Sequence, residues 1–155
     1  MSVSPHAPPA QDRIVTTALI GTAVFVVTAV LAAISPATFR APALVVALAL
    51  FGLGIVLFFA AYLRAIARSR SVVISVVGVY LLAGSAPRAV QLRLLGALAV
   101  QIVVAVATAA ARPFSSLAFG ILVPMFGIAC TGLWGARHGA FPERRDPRAS
   151  LPGDD

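Results

Sequence analysis

The chain has 155 residues, of which 60% are hydrophobic and only 11% charged, and its net charge is +7. A soluble globular domain carries about 25% charged residues, so this chain cannot coat a water-facing surface and lipid must act as its solvent. The pI near 11.5 does not indicate nucleic acid, because the basic residues are scattered at the ends of apolar runs instead of forming one face, a pattern that orients membrane proteins.

Residues 1–13 (MSVSPHAPPAQDR) are polar and proline-rich and read as a disordered tail. Residues 14–34 follow, 21 in a row without a charge. As a helix they reach roughly 31 Å, the thickness of a hydrocarbon core. A signal peptide has an apolar run of about 7–15 residues, so this one reads as a retained span. Ser35-Pro36 ends it, Pro42 opens the next, and a short loop with Phe39 and Arg40 is expected between them. The second span is 43–63, again 21 uncharged residues. Tyr62 closes it at headgroup level. Arg64, Arg68 and Arg70 follow; the first two are four apart, on one helix face, placed to snorkel toward phosphates.

Residues 71–86 (SVVISVVGVYLLAGSA) are uncharged, but their apolar core is about twelve residues, a length typical of interfacial or re-entrant segments. The Val and Ile content leans toward extended structure as much as helix. A bare strand cannot sit in hydrocarbon, so the segment must lie at the surface, pair with itself or be covered by protein. The third span is 94–111, its helix starting earlier with Ser85 as cap and Pro87 in the first turn. Arg112-Pro113 breaks it. The fourth span is 114–134, with Trp134 marking the far interface, and residues 136–155 read as a second polar tail. The transmembrane domain thus covers 14–135.

Arginine placement fixes the count of crossings. With four spans and an inner N-terminus, Arg13, Arg64, Arg68, Arg70, Arg88, Arg93, Arg137, Arg144, Arg145 and Arg148 lie inside and only Arg40 and Arg112 outside. A fifth span at 71–86 would leave Arg13, Arg64, Arg68, Arg70 and Arg112 inside and the rest outside. The positive-inside rule favours the first arrangement. The expected fold class is all-α: a four-helix transmembrane bundle with a short interfacial or re-entrant segment between its second and third helices. Its expected place is the plasma (inner) membrane of a bacterium, with both termini cytoplasmic.

The chemistry is sparse. The twelve Lys and Arg residues are all Arg, so there is no lysine for a phosphate loop or a Schiff base. Asp12, Glu143, Asp146, Asp154 and Asp155 all lie outside the spans, whereas ion-coupled transporters place ionisable groups at membrane depth. Cys130 is the single cysteine, and His6 and His138 sit in opposite flanks. No catalytic residue, metal ligand or cofactor is expected. Gly52 and Gly54 start a glycine pattern that lacks its third member and lies within a span, so they read as packing. Gly127, Thr131 and Gly135 recur every four residues as a small-residue ridge, and Thr17 with Gly21 repeats the pattern in the first span. Pro124 frees the carbonyl of Gly120 and predicts a kink. Gln101 needs a hydrogen-bond partner in lipid, with Thr17, Thr22, Thr28 and Thr131 as candidates.

The stretches LAGSAPR (82–88), ARPF (111–114) and GLWGARHGAFP (132–142) resemble a recurring pattern in small actinobacterial membrane proteins of unknown function. The resemblance implies a multi-pass membrane protein and brings no catalytic residues. It directs attention to the edge formed by Ser85–Arg88 and Trp134–Phe141. There Arg64, Arg68, Arg70, Arg88, Arg137, Arg144 and Arg145 are expected to face lipid headgroups or a partner. The function expected from these residues is a non-catalytic accessory or scaffolding subunit of a membrane assembly. A small oligomeric transporter or channel is the alternative, and an enzyme ranks last. The expected partners are the bilayer, other membrane subunits or a second copy of the chain, and no nucleic acid.

Overall fold

The computed structural model describes residues 9–70, 75–111 and 115–142, with side chains from Arg13 onward. Five α-helices occur in the order α1 (Pro9–Ile34), α2 (Pro36–Ser69), α3 (Val76–Tyr80), α4 (Arg88–Ala111) and α5 (Pro124–His138), with a 3-10 helix (Ser116–Leu122) leading into α5. No strand occurs among the described residues. Arg13–Ile34, Pro36–Ser69, Arg88–Ala111 and Ser116–His138 are each long and apolar enough to cross a bilayer. The protein is an all-α four-helix membrane bundle.

The reversal between α1 and α2 takes one residue. Ser35 leaves the helical region at φ −127° and ψ 74°, and Pro36 opens α2 with a ring already set to the helical φ. The expected loop around Phe39 and Arg40 is therefore helix. Pro42 lies inside α2, where it withholds one N–H from the carbonyl of Thr38. Thr38 is exposed at the end of the bundle. With 34 residues, α2 reaches about 51 Å, longer than a hydrocarbon core of about 30 Å, so both its ends extend into the headgroup layers where water serves such carbonyls.

The fourth span departs from the expected kink. Pro124 sits at the first position of α5, and the turn before it tightens instead of bending. Because Pro124 has no N–H, the carbonyl of Gly120 accepts from Val123 at 3.0 Å. The preceding seven residues follow this 3-10 pattern. Ser115 caps them, its hydroxyl accepting from the Leu117 N–H at 3.3 Å. A 3-10 helix rises about 2.0 Å per residue, so this form also lengthens the span.

Helix α5 is the central rod. Ten of its fifteen residues are buried, including Phe126, Cys130, Leu133 and Trp134. Helix α2 buries only Ala47, Gly54 and Ala61, a stripe seven residues apart whose Ala47 packs with Phe25 and Ala29 of α1 and whose Gly54 meets α5. The two backbones touch there: a Cβ on Gly54 would stand 2.7 Å from the Phe126 amide nitrogen. On the other side, the Phe126 ring occupies the space a Gly21 side chain would need. Phe126 thus marks where α1, α2 and α5 meet.

Of the 71–86 segment, residues 75–86 are described, and they form a single helical turn and a loop, packed on protein along one side and exposed at Val76, Val77 and Leu81. Ser75 caps α3 by accepting from the Gly78 N–H at 2.9 Å. Val79 and Leu82 are buried, and Tyr80 stacks on Phe58 of α2 with centroids 5.4 Å apart. The local cap and the packing override the β-leaning side chains. Leu82 adopts φ 56°, in the left-handed region, and its side chain is fully buried. Such strain costs of order 1–3 kcal/mol and persists where the surrounding packing holds the residue in place.

Candidate functional site: the arginine-rich end

The antiparallel order of the spans brings the start of α1, the end of α2, the start of α4 and the end of α5 to one end of the bundle. Arg13, Arg64, Arg68, Arg70, Arg88, Arg93 and Arg137 belong to these termini, and Arg40 belongs to the opposite one.

Arg68 is expected to face lipid or a partner, but the structure turns it toward protein. It is half-buried. Its guanidinium donates to the carbonyls of Ala136 at 2.9 Å and Gly139 at 3.1 Å. These carbonyls belong to the end of α5, where the helix leaves acceptors without partners and the dipole favours a cation. The same guanidinium lies 5.6 Å from the centroid of the Phe141 ring, within cation–π range. Arg64, Arg70, Arg88, Arg93 and Arg137 are exposed. Arg144 and Arg145 lie outside the described residues.

Two of the stretches that carry the resemblance meet here. The Ala140 N–H donates to the Ser85 carbonyl at 2.9 Å, and the Ser85 hydroxyl donates to the carbonyl of Gly78. Ser85 therefore ties α3 to the residues after α5; its hydroxyl serves Gly78 in place of the capping role expected of it for α4, which begins at Arg88. Gly135 faces the backbone of Val79, and Gly132 faces the Tyr80 ring; a Cβ at either position would collide. Trp134, expected to mark the far interface, is turned into protein. It is buried, with its ring 5.5 Å from that of His138.

The other predicted positions lie deeper. Gln101 is fully buried on α4, and its Nε2 donates to the Thr22 hydroxyl oxygen at 2.7 Å. Thr22 donates its own proton to the Ala18 carbonyl at 2.7 Å. The threonine oxygen can therefore only accept, which fixes the amide nitrogen toward it. The Gln101 Oε1 is left without a hydrogen-bond partner and faces Gly127, where a Cβ would stand 2.6 Å away. Thr131 is buried and donates to the Ile128 carbonyl at 2.8 Å. The ridge of Gly127, Thr131 and Gly135 thus meets two elements in turn, α4 at Gly127 and α3 at Gly135. Gly21 packs on Phe126, whereas Thr17 is exposed on the wall of a cleft.

Gly54 packs closely, as its place within a span predicts, whereas Gly132, whose partner Tyr80 sits in the ambiguous segment, is not marked by the sequence. Among the described residues no three His, Cys, Asp or Glu side chains group to hold a metal ion. No family model matches the chain, and neither a curated protein nor a solved structure matches it.

Proposed function

We propose that this chain is a non-catalytic accessory or scaffolding subunit of a plasma-membrane assembly, with both termini in the cytoplasm. What supports the reading is how the interior is used. At Gly54, Gly127 and Gly135 backbone or side chain fills the space that a single methyl group would need. A recess between Phe25, Ala47, Thr108 and Ser116 measures about 10 Å³, the room of one water molecule. Such an interior leaves the outer faces to act. The widest is on α2, where Val45, Leu48, Leu53, Val56, Phe59 and Leu63 are exposed. The arginine-rich end supports the cytoplasmic placement of the termini through the positive-inside rule.

The test is photo-crosslinking from Val45 and Phe59 in native membranes, followed by mass spectrometry of the products. One membrane protein captured in stoichiometric amount from both positions is the expected result. A purified homo-oligomer that conducts solute into liposomes would favour the transporter reading instead.

A further inference from the structure

A cleft of about 210 Å³ opens between α1, α2 and α5 at the arginine-rich end. Arg13 and Arg137 line it together with Ile14, Thr17, Leu57 and Leu133. Both arginines are exposed, and among the described residues no carboxylate belongs to the lining. The cleft is graded along the bundle axis. From Arg137 the α5 wall passes Leu133 and reaches Cys130, about 10 Å deeper, and from Arg13 the α1 wall reaches Thr17 about 6 Å deeper. Cationic groups at the mouth, with a hydroxyl and aliphatic side chains together below them, match a phospholipid whose phosphate sits at the headgroup level and whose glycerol and acyl chain lie deeper.

We propose that this cleft holds one anionic phospholipid, its phosphate between Arg13 and Arg137 and an acyl chain along Leu57 and Leu133. A free anion would leave the apolar walls unused. An acidic peptide would have to place backbone polar groups against Leu57 and Leu133, where hydrocarbon offers them no partner. Arg64 and Arg70, exposed at the same end, do not line this cleft and supply diffuse attraction of about 1 kcal/mol each near an anionic surface. The proposal does not depend on the chain being a subunit.

The full chain reconstituted in nanodiscs of equal parts phosphatidylcholine and phosphatidylglycerol provides the test, with retained lipid read by native mass spectrometry. One phosphatidylglycerol per chain should remain bound. R13Q/R137Q should lower its retention about tenfold or more, while R64Q/R70Q, with the same loss of charge, should leave it within about twofold. T17W keeps both arginines and fills the wall from an exposed position, and it should also expel the lipid. Helical circular dichroism checks that each variant is folded, and T17W keeps the test decisive if the charge pair fails to fold. Equal losses in the two arginine pairs would overturn the proposal, as would full retention in T17W. Protection of detergent-solubilised protein by inorganic phosphate alone, equal to that by phosphatidylglycerol, would assign the cleft to a free anion instead.

Discussion

Helices α2 and α5 read almost alike as apolar runs, yet they occupy opposite places. The α2 span is the most apolar of the four and buries 11% of its most apolar stretch, whereas the span containing α5 is the least apolar and buries 56%. The other two spans fall between, in the same inverse order. In water the most apolar helix would be innermost. In lipid, burying a leucine against protein gains little over leaving it among acyl chains, and close packing and hydrogen bonds decide instead. The glycines, threonine and cysteine of α5 let neighbouring backbones approach, so it goes to the centre. The Val-, Leu- and Phe-rich faces of α2 are left to the bilayer.

The comparison can be broken most sharply at two glycines two residues apart on α2. A Cβ at Gly54 meets the α5 backbone, while one at Gly52 meets nothing within 4 Å. G54L should cost about 3 kcal/mol or more and destroy the α2–α5 contact, since the obstructing atoms are backbone and cannot rotate away. G52L should change stability by less than about 0.5 kcal/mol. Denaturant titration in mixed micelles measures both.

Next in size is the tie between the end of α2 and the end of α5. R68A removes a charged donor from two carbonyls and should cost about 1–3 kcal/mol, and R64A, exposed one turn earlier on the same helix, should stay within about 0.5 kcal/mol. Thermal unfolding in detergent separates the two. A smaller effect is expected at the buried polar pair. T22V strands the Gln101 amide nitrogen in the core and should cost about 1–2 kcal/mol. Q101L removes the donor together with its partnerless oxygen and should cost less than T22V, because it leaves behind only a threonine that still bonds its own helix. The order of the two, read in the same titration, is the informative result. Last, P124A should shift stability by less than about 0.5 kcal/mol. Restoring the N–H at 124 lets the Gly120 carbonyl take an α-helical bond, seen as a small gain in helical circular dichroism.

The number of membrane-crossing helices was legible because uninterrupted apolar length is itself the physical requirement for crossing. The need of Gln101 for a threonine was legible too, though not which of four would serve, since that depends on helix rotation. Arg68 was misread because an arginine just past a span looks the same whether it meets phosphates or the open end of another helix; the choice rests on where α5 ends. Pro124 was misread because proline forbids one hydrogen bond without dictating the remedy, and here the chain tightens where a bend was expected. The packed position of α3 depends on Gly132 and Gly135, more than fifty residues away. No local propensity of valine-rich residues reports on them.

The central claim is that α5 is the inner rod and α2 the outer one. A lipid-soluble carbene precursor, photolysed in native membranes and mapped by peptide mass spectrometry, reads lipid exposure directly. Heavy labelling at Val45, Val56 and Phe59, with Phe126, Ala129 and Trp134 spared, is the result this arrangement requires, in keeping with their exposure in the structure. Labelling of α5 as heavy as that of α2 would contradict it.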